Sequence, residues 1–257
     1  MLKTLILAAS VCPLLAAHAT TLPVGPITFG TNASYDANFK ESLDTGTTRD
    51  AAGYLQLQGF QVGSAVFDTS ATGGANGFGG TGGSDANNDL SNFTISADLA
   101  SSVSGGIGAG FLLRLNAAEA NGYFAAAVTQ GTNYVEFDLS EGAGLNSGPG
   151  ITIFSTILPL TGLTVATNTF YPFKVNVSNG TFAFNFGSGA ATASFTDTTV
   201  SATTGQVGFV LETISPTAAT RLDNFAITPE PGTASLLVLS LAGCMARRLR
   251  CSPGRQC

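Results

Sequence analysis

The chain has no tryptophan, a single histidine and only four cysteines, and all of these cysteines and the histidine lie near its two ends. Residues 20–228 therefore contain no thiol and no imidazole. This excludes a Ser-His-Asp or Cys-His nucleophile there, and also a zinc, haem or iron–sulfur site. Carboxylate, hydroxyl, amide and carbonyl groups remain. They suit hard cations such as calcium, or acid–base chemistry by paired carboxylates.

Basic residues are also scarce. Residues 20–228 contain five Lys or Arg against fifteen Asp or Glu. A surface with this balance cannot neutralise a run of phosphates, so we expect no nucleic acid partner. The balance is compatible with cations and with neutral polymers such as polysaccharides.

The N-terminal segment, residues 1–19, has the three parts of an export signal. Lys3 supplies the early positive charge, Leu5–Ala17 is an apolar run, and Ala17-His18-Ala19 matches an A-x-A cleavage pattern. This order predicts a secretory signal peptide that uses the Sec export machinery.

The C-terminal segment, residues 229–257, also has an ordered pattern. Pro229-Glu230-Pro231 is followed by the apolar stretch Thr233–Ala246 and then by Arg247, Arg248 and Arg250. As a helix, residues 232–249 would be about 27 Å long, against a hydrocarbon core of about 30 Å. The arginines would keep the end on the inner side of the membrane. The pattern predicts a hydrophobic transmembrane helix.

This order of Pro-Glu-Pro, apolar helix and arginine cluster resembles the PEP-CTERM sorting signal. The resemblance implies that an exosortase-type enzyme cuts the tail near Pro-Glu-Pro after a transient stay in the inner membrane. It also implies a final location at the cell surface, in the extracellular matrix or in the periplasm of a Gram-negative bacterium. The stretch Cys251–Cys257 departs from the pattern. A permanent, uncleaved anchor is the alternative.

Residues 20–228 predict one all-β domain, because short runs of alternating apolar residues are separated by Gly, Asn, Asp and Ser. Asn179-Gly180 predicts a hairpin with a type I′ turn. Residues 20–50 are expected to add an edge strand or irregular packing. The expected strands are residues 53–58, 60–67, 91–99, 108–115, 123–130, 134–139, 152–158, 171–178, 181–186, 193–197, 205–211 and 221–227.

The order of several of these strands along the chain matches a known fold pattern. The segments that carry it include Phe93–Leu99, Gly110–Arg114, Tyr171–Val175, Gly205–Phe209 and Arg221–Phe225. The series resembles the concanavalin A-like jelly roll of legume lectins and laminin G modules. It implies a two-sheet antiparallel sandwich, and it implies fold far more than activity.

The segment around Glu136, Asp138 and Glu141 has the spacing E-x-D-x-x-E. On a strand the first two acids share one face, and Glu141 joins them only if a bulge shifts the register near Ser140. The spacing resembles the catalytic strand of laminarinase-like family-16 glycoside hydrolases. That resemblance makes Glu136 the nucleophile, Asp138 its partner and Glu141 the general acid/base. The lack of tryptophan for sugar stacking favours a solvated strand face instead.

A second acid of interest is Asp223, on the last expected strand. In many β-sandwich sugar-binding modules such an acid joins an early carboxylate to hold a structural calcium, and Asp36 or Glu41 would be that partner. Alternatively, Asp223 pairs with Arg221 or caps a turn. We expect no obligatory cofactor, with a structural calcium as the alternative.

Together these features favour an exported, non-catalytic surface or exopolysaccharide-matrix protein whose jelly roll binds carbohydrate or serves a structural role. One alternative is a retaining glycoside hydrolase that uses Glu136, Asp138 and Glu141. Another is a purely adhesive module without a small ligand. The expected partners are the exosortase-type enzyme, the export machinery, the inner membrane and extracellular polysaccharide.

Overall fold

The computed structural model describes residues 27, 29, 39–41, 47–49, 53–58, 62–67, 90–116, 118, 121–144, 150–199, 203–213 and 217–229. These residues form fourteen strands. The strands are β1 Phe39–Glu41, β2 Thr47–Arg49, β3 Leu55–Gln58, β4 Val62–Phe67, β5 Phe93–Ser101, β6 Gly108–Leu115, β7 Gly122–Thr129, β8 Tyr134–Ala143, β9 Ile151–Pro159, β10 Tyr171–Ser178, β11 Thr181–Phe186, β12 Ala191–Thr196, β13 Gln206–Glu212 and β14 Ala219–Pro229.

The strands form two seven-stranded sheets in which all pairs are antiparallel. The front sheet has the order β1-β4-β13-β6-β7-β8-β9, and the back sheet has the order β12-β11-β10-β5-β14-β3-β2. The prediction of a two-sheet antiparallel sandwich is therefore confirmed. All twelve expected strands are present, and β1 and β2 are the additional edge strands from residues 20–50.

The hairpin between β10 and β11 follows directly from its turn residues. Asn179 has φ 49° and Gly180 has φ 81°, and a type I′ turn needs positive φ at both positions. The register runs from Ser178 opposite Thr181 to Phe173 opposite Phe186. The alternation of buried and half-buried residues on both strands turns one face of the hairpin inward.

Phenylalanine supplies the centre of the core in place of tryptophan. The rings of Phe111 in the front sheet and Phe173 in the back sheet stack at 5.0 Å between centroids, with 5° between their planes. Phe137 of the front sheet also stacks with Phe173, with 6.3 Å between the ring centroids. All three side chains are fully buried. Each contributes about 1.5–3 kcal/mol by removal from water.

A polar cluster lies inside the sandwich beside this aromatic core. Arg114 is only 2% exposed and has φ 52°, at a bulge in β6 where it faces β13. Its Nε and Nη2 both donate to the carbonyl of Ser91, and its guanidinium lies 5.8 Å from the ring centre of Phe182. Burial lowers the pKa of Arg114, and the coulombic interaction with Tyr123 partly opposes this.

Within the described residues, no helix is long and apolar enough to cross a membrane. The expected signal peptide and the expected C-terminal helix lie outside these residues.

Candidate functional site

The outer surface of the front sheet, called here the front face, carries the acidic strand. On β8 the side chains of Val135, Phe137 and Leu139 are fully buried in the core. Glu136 and Asp138 alternate with them and are half-buried on the opposite side. The alternation expected from the sequence is therefore observed.

Cross-strand register builds a trough around Asp138. Asp138 lies opposite Ala126 on one side and Ser155 on the other. Ala126 in turn lies opposite Gly110, and Gly110 lies opposite Val210. Because Gly110 and Ala126 have little or no side chain, the middle of the sheet forms a low floor. A Cβ on Gly110 would lie only 2.6 Å from the Phe124 ring and 2.5 Å from the carbonyl oxygen of Ala125.

The trough is a cavity of about 200 Å³. Phe124 contributes a half-buried aromatic ring, opposite Leu112 on one strand and Ser140 on the other. The Ser140 and Thr152 hydroxyl oxygens are 3.3 Å apart. The cavity is lined by Ala109, Phe124, Ala126, Val128, Asp138, Ser140, Thr152, Val210 and Glu212.

The two front-face carboxylates have different surroundings. Glu136 accepts hydrogen bonds from Gln130 Nε2 at 2.7 Å and from Ser155 Oγ at 3.0 Å. Burial raises the pKa of Asp138, a hydrogen bond from Ser155 opposes the rise, and the charge of Glu136 adds to it. Since Ser155 has one hydroxyl proton, it can donate to only one of the two carboxylates at a time.

Glu141 does not join these two acids on the front face. The register irregularity lies between Leu139 and Ser140, but the extra residue is Ile153 on β9. Strand β8 keeps its alternation as far as Glu141, because its own extra residue is Gly142, and Glu141 lies opposite Tyr123, whose ring is in the core. Directly opposed residues point to the same side of a sheet, so Glu141 belongs to the other side from Asp138.

Asp223 lies in the back sheet, directly opposite Asp98. A bulge follows, with Asn224 at φ 52°. The Asn224 backbone N–H donates to Asp223 Oδ1 at 2.8 Å, and its side-chain amide donates to Asp98 Oδ2 at 2.7 Å. Burial raises the pKa of Asp223, and the nearby charge of Asp98 adds to this. Backbone hydrogen bonds from Asn224 and Phe29 oppose the rise.

The sequence could not show that Asp98 is the neighbour of Asp223, because β5 and β14 are paired only in the folded sheet. Arg221, the other partner considered, donates to Gln56 Oε1 at 2.8 Å and to Asn168 Oδ1. Its guanidinium also lies 5.0 Å from the ring centre of Tyr54. The bond from the Asn224 N–H gives Asp223 the turn-capping role that was the alternative to a metal.

The described residues do not bring the expected calcium ligands together around Asp223. Calcium takes six to eight oxygen ligands, and the described neighbours supply two carboxylates that already accept N–H groups. Glu41 lies on β1 of the front sheet, and Asp36 is outside the described residues. No group of three or more His, Cys, Asp or Glu in the described ranges is arranged to hold a metal ion.

The expected sorting motif begins where the described chain ends. Pro229 is the last residue of β14. Glu230, Pro231, Arg247, Arg248 and Arg250 lie outside the described residues, so their role stays a prediction.

Comparison with solved structures identifies the fold of the chain. No protein-family model matches the chain, and no curated protein matches it. Among solved structures, the β-glucanase of Bacillus licheniformis superposes with a TM-score of 0.52 at 10% identity, over 80% of this chain and 99% of that one.

The fold is a concanavalin A-like jelly roll. Two further similar structures are the carbohydrate-binding module CBM66 from Bacillus subtilis and a legume lectin-like domain from Entamoeba histolytica. The first has a TM-score of 0.47 at 14% identity, over 75% of this chain and 96% of that one. The second has a TM-score of 0.49 at 10% identity, over 80% of this chain and 97% of that one. At 10% identity, the likeness to the β-glucanase shows the fold alone.

Proposed function

We propose that this chain is an exported, non-catalytic carbohydrate-binding protein and that the trough of the front face is its binding site. The observation that carries the proposal is the juxtaposition of Phe124, Asp138 and two hydroxyls around a floor made by Gly110 and Ala126. Sugar sites combine an apolar surface for the ring face with a few fixed polar groups for the hydroxyls. Phe124 would supply the first and Asp138 the second.

The charges of the front face favour a class of glycan. Asp138, Glu136 and Glu212 are acidic, and no described Lys or Arg side chain lines the trough. An anionic polysaccharide would meet repulsion in this cavity. Neutral or amino sugars, whose hydroxyl and ammonium groups donate hydrogen bonds, fit the carboxylate acceptors.

The positions of the acids also favour binding over hydrolysis. A retaining glycosidase needs two carboxyl groups about 5–5.5 Å apart that flank one glycosidic bond. Glu136 and Glu141 would be that pair, yet they belong to opposite sides of the front sheet. The front face thus offers carboxylate acceptors for a sugar, but not the Glu136 and Glu141 pair that the glycosidase alternative needs on one face.

Export and sorting complete the proposal. The Ala17-His18-Ala19 pattern, the Pro-Glu-Pro motif and the arginine cluster support delivery to the surface or the exopolysaccharide matrix. A polysaccharide ligand would be abundant there.

The test is binding of the purified protein to a panel of neutral, amino and uronic-acid polysaccharides, with added calcium and with chelator. We expect saturable binding to a neutral or amino glycan that the chelator leaves unchanged. Phe124→Ala and Asp138→Asn should weaken this binding, and Asn185→Ala on the back sheet should not. Absence of binding across the panel, or sustained hydrolysis of a bound glycan, would refute the proposal.

A further inference from the structure

One side of the sandwich ends in two edge strands of the described sheets. Strand β9 is the last strand of the front sheet, and β12 is the first strand of the back sheet. The rings of Phe154 on β9 and Phe195 on β12 stack at 5.2 Å between centroids. The two edges therefore lie side by side, and we call residues 151–159 and 191–196 together the β9–β12 side.

Within the part of the chain that the structure describes, the outer backbone groups of both strands have no pairing partner. Strand β9 pairs with β8 alone, and β12 pairs with β11 alone. The backbone hydrogen bonds found outside the strand ladders involve no residue of either strand. An edge strand of this kind presents a row of N–H and C=O groups that can pair with another strand.

The middle of β9 and the whole of β12 lack charged residues that would protect them. Proteins guard edge strands with charged residues, proline or bulges. Neither β9 nor β12 contains a charged residue. The bulge at Ile153 and the terminal Pro159 interrupt the ends of β9, and residues 154–158 between them keep a regular register with β8. On the opposite side of the molecule, β1 and β2 carry Lys, Glu and Arg.

Exposed apolar side chains gather at the same place. The described residues include four large hydrophobic side chains that are exposed. Ile151 and Ile157 on β9 are 77% and 56% exposed. Tyr134, which lies opposite Pro159 at the end of β8, is 50% exposed. The fourth, Val62, lies on β4, four strands away from β8 in the front sheet.

We infer that a second copy of this chain pairs with the β9–β12 side, with β9 antiparallel to the partner's β9. A peptide strand from another protein would cover one edge and leave the other open. A second sandwich presents two edges at the same separation, because the two sheets are packed the same way in both copies. A twofold axis that lies between the two β9 strands and is perpendicular to the sheet preserves the inward and outward alternation of their side chains. The lack of charge on both surfaces avoids repulsion between two acidic molecules.

This inference is independent of glycan binding, and its test is the oligomeric state of the full chain by sedimentation velocity. We expect a dimer of the parent protein. Ile157→Lys places like charges near each other across the pairing, so the dissociation constant should rise at least about a hundredfold. Val62→Lys is the matched control, since it adds the same charge at an exposed apolar position of the same sheet. It should leave the dimer intact.

A mixing experiment separates lost pairing from a damaged fold. Ile157→Lys and Ile157→Glu should each be monomeric alone, and an equimolar mixture should form a dimer because the charges then attract. A monomeric parent protein would overturn the inference. This holds even if that monomer binds a synthetic strand peptide at this edge. The inference would also be overturned if Ile157→Lys stayed dimeric, as it would if association ran through the C-terminal segment. An equimolar mixture that stays monomeric would overturn it as well.

Discussion

The hydroxyl of Tyr123 donates a hydrogen bond of 2.7 Å to Oδ2 of Asp197, and this bond joins the two sheets inside the sandwich. Tyr123 lies on β7 of the front sheet, and Asp197 directly follows β12 of the back sheet. The other carboxylate oxygen of Asp197 accepts from the N–H and the hydroxyl of Thr199. Both carboxylate oxygens of Asp197 therefore accept hydrogen bonds, as a carboxylate that is only 6% exposed requires.

Tyr123→Phe should lower the free energy of unfolding by about 1.5–3 kcal/mol, the usual value for a hydrogen bond to a charged group. The ring keeps its packing against Phe182, so the loss reports the hydroxyl alone. Urea unfolding at neutral pH measures the difference. Tyr134→Phe, at a half-exposed ring, is the control and should change the free energy by less than about 0.5 kcal/mol. Equal stability of Tyr123→Phe and the parent would show that the bond contributes nothing.

Asp138→Asn should weaken glycan binding about tenfold or more, because a charge-assisted hydrogen bond of about 1.5–3 kcal/mol is replaced by a weaker one. Isothermal titration with the glycan that binds best to the parent gives the dissociation constant. Asp98→Asn makes the same chemical change on the back sheet and should leave the constant unchanged. Similar affinities for the parent and Asp138→Asn would place the ligand elsewhere.

Glycan binding should also depend on pH through Asp138. Burial is the main reason that the pKa of this carboxyl lies above its usual value of 3.8. The ionised form is the acceptor, so affinity should be lost as pH falls through the raised pKa, and the loss should begin at a higher pH than for an ordinary aspartate. Affinities measured from pH 3 to pH 8 test this. A pH profile of the parent that matches that of Asp138→Asn would contradict it.

Asp98→Asn should stabilise the fold at neutral pH. The raised pKa of Asp223 means that the folded protein holds this proton more tightly than the unfolded chain does. The resulting stability is fully present below the usual pKa and is lost as pH rises through the raised one. Removing the charge of Asp98 brings the pKa of Asp223 closer to its usual value, so less stability is lost at neutral pH. The melting temperature of Asp98→Asn should therefore exceed that of the parent at pH 7, and the two should converge near pH 3.

The same melting experiment separates a carboxylate pair from a calcium site. Added calcium should leave the melting temperature of the parent unchanged, because Asp98 and Asp223 already accept N–H donors. A calcium-dependent rise that Asp98→Asn abolishes would contradict this account and restore a cation at Asp223.

Gly180→Ala should cost about 1 kcal/mol of stability, since Gly180 has φ 81° in the turn between β10 and β11. Chemical unfolding measures the loss. Ser178→Ala, just before the turn, is the control and needs no positive φ. If Gly180→Ala were as stable as its control, the turn would have to change type without cost.

The sequence predicted the sheets well where local chemistry decides the outcome. The Asn179-Gly180 turn and the alternating phenylalanines on both sides of it fix that hairpin without reference to the rest of the chain. The strands of residues 20–50 were harder to place, because β1 and β2 have three residues each and little alternation.

The site depends on information that a sequence does not carry directly. That Glu136 and Asp138 share a face follows from the two-residue period of a strand. The floor of Gly110 and Ala126 depends on how β6, β7 and β8 align, and the position of Glu141 depends on which strand bears the bulge. Asp98 and Asp223 are adjacent because strands far apart in the chain pair in the sheet. Such registers arise from packing, which no local motif encodes.

The position of β14 gives the molecule a definite polarity. This strand lies within the back sheet, between β5 and β3. It is four strand positions away from β12, which forms one edge of that sheet. At about 4.8 Å per strand this is roughly 19 Å. Pro229, the last described residue, therefore lies in the back sheet, away from both the front face and the β9–β12 side. Molecules that the proposed C-terminal segment holds at a common surface can use the β9–β12 side to contact each other and the front face to contact the surrounding polysaccharide.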